Sequence, residues 1–293
     1  MDRQFGAVTV LVGDKNGKYP QGNSLRVQGR SATAMIDPSL AVVDRAAELR
    51  GHADIVLLSH VHEDHVAGVH LFPAAEVHAH RADAPGLRSF AGMMALYGYQ
   101  GLDAAMHDFL VSSFHYVERP DTRDFDDGAI WDLGGTRIRA IHLPGHTRGH
   151  SALLIEPEGL LFLGDIDLSS FGPYYGDAWS DLADFERSLQ KVAAIEARVW
   201  VSFHHVGIIE ERSLFQERLI RFQGKIAERE QRLLDLLTQP LTMQELVAQR
   251  ILYPPHATMP FIDAVEERTL QQHLDRLMAA GAVQRRGDHF ERS

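Results

Sequence analysis

The sequence predicts an α/β protein, a sandwich of two mixed β-sheets flanked by helices and followed by a small helical domain. Three observations lead there. Short runs rich in Val, Ile and Leu recur across residues 5–202, and several end in histidine or aspartate. Amphipathic stripes with helical spacing interrupt them. After residue 210 the pattern turns to long helical stripes, and a hairpin closes the chain. The boundary is set at 1–212 for the sandwich and 213–293 for the tail.

Taken in order, strands are expected near 5–12, 24–28, 33–37, 54–58 and 76–79, then 129–133, 136–142, 151–155, 160–163 and 199–202. A helix is expected over 40–50, where Val43, Ala46, Ala47 and Leu49 leave the charges on the opposite face. A second is expected over 181–197, with Leu182, Phe185, Leu189, Val192 and Ile195 in one stripe and Ser180 as N-cap. Residues 86–118 stand apart. There, the run from Gly92 to Tyr99 combines glycines with Met93, Met94, Leu96 and Tyr97, and reads either as core packed on a helix over 103–117 or as a lid. Phe171, Tyr174 and Tyr175 form a second aromatic stretch, read as a substrate wall because a strand-terminal aspartate lies just before it. In the tail, a long helix over 213–237 precedes Thr242, which with Glu245 makes a capping box for a helix over 243–250. Tyr253-Pro254-Pro255 leads to a helix over 264–280, and residues 281–290 read as a two-stranded wing.

Composition narrows the class. The chain has 293 residues, 45% of them hydrophobic and 24% charged, which is globular rather than disordered. No apolar run approaches the ~20 residues needed to cross a bilayer. The N-terminus lacks a basic segment followed by an apolar one, so a cytoplasmic protein is expected. There is no cysteine, which excludes disulfides and thiolate metal ligands. Lys and Arg number 29 against 40 Asp and Glu, a formal charge of −11 that opposes binding of polyanions.

The densest chemistry is His60-Val61-His62-Glu63-Asp64-His65, directly after the apolar run Ile55-Val56-Leu57-Leu58. Ligands at the carboxyl end of a strand sit where α/β sheets present them. His60 and His62 are two apart and face one way if the chain is extended, while Asp64 and His65 follow in the turn. That spacing suits two adjacent metal ions better than one. Further strand ends repeat the pattern: Pro144-Gly145-His146-Thr147-Arg148-Gly149-His150 after 137–142, Gly164-Asp165 after 160–163, and Ser202-Phe203-His204-His205 after 199–201.

This order of motifs resembles the metallo-β-lactamase fold superfamily over residues 5–210, which implies an αββα sandwich. By position, the resemblance implies that His60, His62 and His146 hold one metal, that Asp64, His65 and His204 hold the other, and that Asp165 bridges them. His204 rather than His205 matches the family's Ser-x-His. His150 and His142 are read as structural, and Asp37 either as a turn aspartate before Pro38 or as a group orienting a ligand histidine. The ligand types suit zinc, iron or manganese and do not by themselves choose among them; zinc is the metal expected, with iron or manganese as alternatives. A metal-bound hydroxide is the expected nucleophile, oriented or deprotonated by Asp64.

The Gly-His-Thr-x-Gly-His and Leu-Gly-Asp surroundings look like those of glyoxalase II-type hydrolases, so the expected substrate is a thioester or ester of a small acid. The compact basic set with which glyoxalase II enzymes hold glutathione is not found. The tail instead resembles a winged helix, as in a branch that includes single-strand-specific RNA nucleases. An RNA phosphodiesterase, a lactonase or β-lactam hydrolase, and a non-enzymatic metal-dependent binding protein are the alternatives, in that order. The expected partners are a small-molecule substrate and a second copy of the chain, with neither membrane nor nucleic acid.

Overall fold

A computed structural model describes residues 1–99 and 101–293. The first sheet has seven strands in sequential order: β1 (Arg3–Phe5), β2 (Val8–Leu11), β3 (Ser24–Gln28), β4 (Thr33–Ile36), β5 (Ile55–Leu57), β6 (Glu76–His80) and β7 (Arg123–Phe125). β1 to β4 pair antiparallel and β4 to β7 parallel, with helical crossovers between the parallel members. The second sheet contains β8 (Ile130–Asp132), β9 (Arg137–His142), β10 (Ser151–Glu156), β11 (Leu160–Phe162), β12 (Val199–Val201) and β13 (Ile208–Ile209), of which only β11 and β12 run parallel.

Alternation along the strands builds the layers. Leu57, Leu160, Phe162, Val199 and Val201 point between the sheets, with Val10, Leu25, Ile36, Ile138 and Leu153. Their neighbours face outward: Val56 lies under the helices that carry Leu87, Met93 and Leu110, whereas Leu161 and Trp200 lie under Phe185, Leu189 and Phe222. Trp200 stacks on Phe215 at 4.7 Å between ring centres. The result is helix, sheet, sheet, helix.

Several elements differ from expectation. The strand expected over 5–12 is a hairpin, because Gly6 takes φ +55° and reverses the chain. The helix expected over 40–50 breaks into Leu40–Val43 and Ala46–Leu49; Arg45 leaves helical geometry, and its guanidinium reaches Asp2 and the Val12 carbonyl. The later helix is Leu182–Ala193, capped by Asp181, whose Oδ1 accepts the Asp184 N–H at 2.7 Å. Ser180 Oγ instead donates to the His146 carbonyl. β7 escaped notice because Arg123-Asp124 at an exposed edge carries no apolar pattern, and β13 because it has two residues.

In the tail, one helix, Arg212–Leu236, serves two cores. Phe215, Leu219, Phe222 and Ile226 pack under the second sheet, while Leu233 joins Leu246, Leu270, Leu274 and Phe290. The capping box forms at Thr242 and Glu245, starting helix Met243–Gln249. Helix Ile262–Ala279 follows, and β14 (Leu241–Thr242), β15 (Val283–Arg286) and β16 (His289–Arg292) form a three-stranded sheet in the order β14-β16-β15. Among the described residues, no helix is long and apolar enough to cross a membrane.

The two long tail helices meet through Glu230, which accepts from Arg276 Nε and lies 3.3 Å from His273 Nδ1. Burial raises the Glu230 carboxyl, but the hydrogen bonds from His273 and Arg276 outweigh it and hold the pKa at about 2. A depressed carboxyl stabilises the fold above its unfolded value of about 4.3, and that contribution is lost as pH falls toward the folded value. Chemical denaturation should show wild type more stable than Glu230→Gln at pH 6, with the gap closing between pH ~4 and pH ~2.

Candidate active site

The ends of β5, β11 and β12 and the turn from β9 to β10 open on one edge of the sandwich, and each carries part of a buried polar cluster. His60 Nε2, His62 Nδ1 and His146 Nε2 form a triangle with sides of 3.0, 3.0 and 3.1 Å. Their far nitrogens have outward partners. His146 Nδ1 donates to the Tyr174 carbonyl at 2.9 Å. His62 Nε2 lies 3.1 Å from Asp177 Oδ2, close enough for an ion pair though off line for a hydrogen bond. Ser59 Oγ spends its proton on Asp37 Oδ2, so it accepts from His60 Nδ1 at 3.1 Å. With the protons on the outward atoms, three lone pairs converge on one point. Burial lowers the pKa of His60 far below its usual value and that of His146 to about 4, so both rings are neutral.

Asp64, His65 and His204 form a second cluster. His65 Nδ1 donates to Asp37 Oδ2 at 2.7 Å, and His204 Nδ1 donates to the Gly17 carbonyl at 2.7 Å. Asp165 stands between the clusters: its Oδ1 is 3.0 Å from His65 Nε2 and its Oδ2 is 3.4 Å from His146 Nε2. Burial alone would lower the pKa of His65 and His204, but the Asp165 carboxylate, with Asp64 and for His65 also Asp37, reverses this. His65 rises well above its usual value and His204 to about 9. A centre that draws protons onto two buried imidazoles is short of positive charge.

The donor set fits divalent metal ions. Three converging lone pairs repel one another unless a cation lies among them, and buried Asp64 Oδ2 lies 2.8 Å from His204 Nε2, a close nitrogen–oxygen pair of the kind that ligates an ion. Backbone geometry keeps the centre tight. Gly164 has φ +54°, and a Cβ there would come within 2.7 Å of His150 Nε2 and 2.9 Å of Ser59 Oγ. His150 Nδ1 donates to the Leu143 carbonyl, and its Nε2 accepts the Asp165 N–H, so it supports Asp165 from behind.

Residues 18–212 match the metallo-beta-lactamase superfamily. The chain belongs to that superfamily. A metallo-beta-lactamase family protein from Thermus thermophilus superposes with a TM-score of 0.72 at 26% identity, covering 98% of this chain and 99% of that one. An atrochrysone carboxyl ACP thioesterase from Aspergillus fumigatus is 26% identical over 227 residues, which cover 74% of this chain and 62% of that protein. A hydroxyacylglutathione hydrolase from Francisella tularensis subsp. tularensis is 27% identical over 187 residues, 60% of this chain and 62% of that protein. The matches thus span 62% of the length of these two relatives. This is a superfamily of hydrolases that implies divalent metal ions, and the chain carries His and Asp clusters that could hold them.

The structure settles the position of the remaining candidates. Asp37 does not merely turn the chain before Pro38: its carboxylate accepts from Ser59 N and Ser59 Oγ and from His65 Nδ1, and so fixes that ring. His205 has φ +56° and belongs to neither cluster, although it lines the adjoining cavity. His142 Nε2 donates locally to the Arg148 carbonyl. Phe171 and Tyr174 line the cavity of about 270 Å³ beside the clusters, whereas Tyr175 does not. Tyr175 is buried against the tail, with its hydroxyl 2.8 Å from His273 Nε2 and 3.0 Å from Arg229 Nη1. The 86–118 stretch is both core and wall: Met93 and Leu96 are buried, while Tyr97, Tyr99 and Phe109 face the cavity. Within it, Gln100 lies outside the described residues.

Four groups were missed. Asp177 backs His62 and accepts from Tyr99 Oη at 2.6 Å; the only signal for it was its place after Tyr174-Tyr175-Gly176. Tyr253 and Phe261 bring the tail to the cavity wall, across sequence too distant for periodicity to connect. Asp83 is buried and holds the loop carrying His146, accepting from Thr147 Oγ1 and, at 2.8 Å, from Gly149 N. Asp83→Ala leaves both donors buried without an acceptor, so urea denaturation should show a loss of roughly 2–5 kcal/mol.

Proposed function

We propose that the chain is a dinuclear metallohydrolase that cleaves a thioester or ester of a small acid. The observation that carries this reading is the pair of clusters joined by Asp165 at the floor of an aromatic cavity. His60, His62 and His146 would hold one ion, Asp64, His65 and His204 the other, and Asp165 both. Bound there, two divalent ions, which on this reading are zinc, would supply Lewis acidity and acidify water toward neutral pH.

The chain's own groups do the rest. Asp64, whose Oδ2 lies 2.8 Å from His204 Nε2 in the second cluster, is placed to orient the attacking water and accept its proton. Phe171, Tyr174 and Phe261 keep bulk water off the acyl group. The thioesterase and hydroxyacylglutathione hydrolase relatives support the acyl reading. RNA is disfavoured because no Lys or Arg lines the cavity among the described residues and helix Ile262–Ala279 carries Asp263, Glu266, Glu267 and Asp275. The winged-helix-like tail is read as a wall of the acyl site rather than as a reader of nucleic acid.

Elemental analysis of purified protein is expected to give close to two transition-metal ions per chain, fewer in Asp165→Ala and His204→Ala, and an unchanged count in His205→Ala. Unchanged metal in Asp165→Ala, or loss in His205→Ala with retention in His204→Ala, would reject the assignment. A panel of thioesters, lactones, cephalosporins and single-stranded RNA at equal metal content should show the highest kcat/KM on a thioester. RNA cleavage exceeding every acyl substrate and vanishing in His62→Ala would replace this reading with a nuclease.

A further inference from the structure

We infer that the cavity selects a positively charged acyl group, an ammonium-bearing ester or thioester, and that Glu63 and the surrounding aromatic rings recognise it. This rests on the acyl-hydrolase reading above. The cavity is walled by Tyr19, Tyr97, Tyr99, Tyr174, Tyr253 and Phe261. Tyr97 is stacked between His62 and Tyr99, and Tyr99 between Tyr97 and Phe261, so these rings form a rigid backing, while Tyr19, Tyr174 and Tyr253 have no ring stacked face to face on them among the described residues and can turn a face to the cavity. Ring faces are electron-rich and attract cations, most strongly where water is excluded.

Apart from His62, His146 and His204, which face the proposed ions, and His205, the titratable groups lining the cavity are acids and tyrosines. Setting aside Asp64 and Asp165, which face the proposed ions, Glu63, Asp167 and Asp177 remain, with no Lys or Arg among the described lining residues. The nearby arginines sit behind the wall with their donors engaged. Arg268 donates to the carbonyls of Tyr97, Gly98 and Gly176, and its guanidinium is 5.8 Å from the Tyr99 ring. Arg229 donates to the carbonyls of Pro173 and Phe171. A carboxylate or phosphate at the end of the acyl group away from the proposed ions would therefore lie beside Glu63 and Asp177 with no Lys or Arg to pair with, which is unfavourable.

Glu63 is the acceptor best placed for a cation. Tyr19 Oη donates to its Oε1 at 3.0 Å and Tyr97 Oη to its Oε2, which fixes the carboxylate in the wall. A carboxylate offers about four lone-pair positions, so roughly two remain for a ligand. Asp177 is already taken up by Tyr99, Tyr174 and His62.

The test compares three thioesters of one acyl skeleton ending in trimethylammonium, tert-butyl or carboxylate, on the metal-loaded full chain. The expected kcat/KM order is cationic, neutral, anionic, with the first step about tenfold, within the usual range for a desolvated cation–π contact plus a charge partner. Glu63→Gln, which keeps the size of the side chain, should bring the cationic-to-neutral ratio close to one, and Tyr253→Leu should lower it several-fold. In parallel, benzyltrimethylammonium is titrated against tyrosine emission, with saturable quenching expected in wild type and lost in Glu63→Gln. A neutral or anionic acyl group that matches or exceeds the cationic one, or a ratio unmoved in both variants, overturns the inference. If no thioester is cleaved at all, the acyl-hydrolase reading falls, and the titration decides this inference alone: no saturable quenching overturns it.

Discussion

Four of the five inward-facing imidazoles of this centre, all but His62, are held by a hydrogen bond made on the opposite side of the ring. The Tyr174 carbonyl, Ser59 Oγ, the Asp37 carboxylate and the Gly17 carbonyl each take one Nδ1 proton, from His146, His60, His65 and His204 respectively. These partners fix tautomer and ring angle together, while the Asp64 and Asp165 carboxylates leave the centre short of positive charge. They come from the loop after β2, the ends of β4 and β5, and the segment after β11. The sheet sandwich is in this sense a frame that aims four outer acceptors at four rings.

The tail contributes shape rather than charge. Buried Arg229 and half-buried Arg268 hold the 171–176 and 97–98 loops by their carbonyl oxygens. Glu266 is fully buried and accepts the N–H groups of Ile251, Leu252 and Tyr253, which sets the Tyr253 ring in the cavity wall. Gln272 bridges the Leu182 N–H and the Tyr175 carbonyl. These are long-range polar contacts to backbone, so the wall is as well defined as the centre it covers.

How much of this could be read from the sequence depended on the range of the interaction. The His60 to His65 run is local, and strand ends announce His146, Asp165 and His204 by a change from apolar to polar residues, so their convergence was legible. The layers were legible too, because Val56 against Leu57 and Trp200 against Val201 follow a period of two. Asp83 was not, since its partner Thr147 is 64 residues away and Asp83 itself sits in no pattern. Tyr175 misled because its neighbours Tyr174 and Phe171 do face the cavity; only the packing of the tail shows that this ring turns to His273 and Arg229. Ser180 was taken for a cap when Asp181 does that work, and its hydroxyl is bound to the His146 carbonyl instead.

The Gly17 carbonyl that receives His204 lies in a loop where Lys15 and Asn16 both adopt left-handed backbone, between two strands of the opposite sheet. The ring at the end of β12 is thereby tied to the far end of the chain, 187 residues earlier. An insertion in that N-terminal loop, or a fusion that pulls on the first hairpin, would act on the geometry of the centre without touching any residue near it in sequence. Conversely, variation that reshapes the tail between β14 and the last long helix leaves this tether intact. Such a chain can diversify what it admits while conserving how the reacting groups are aimed.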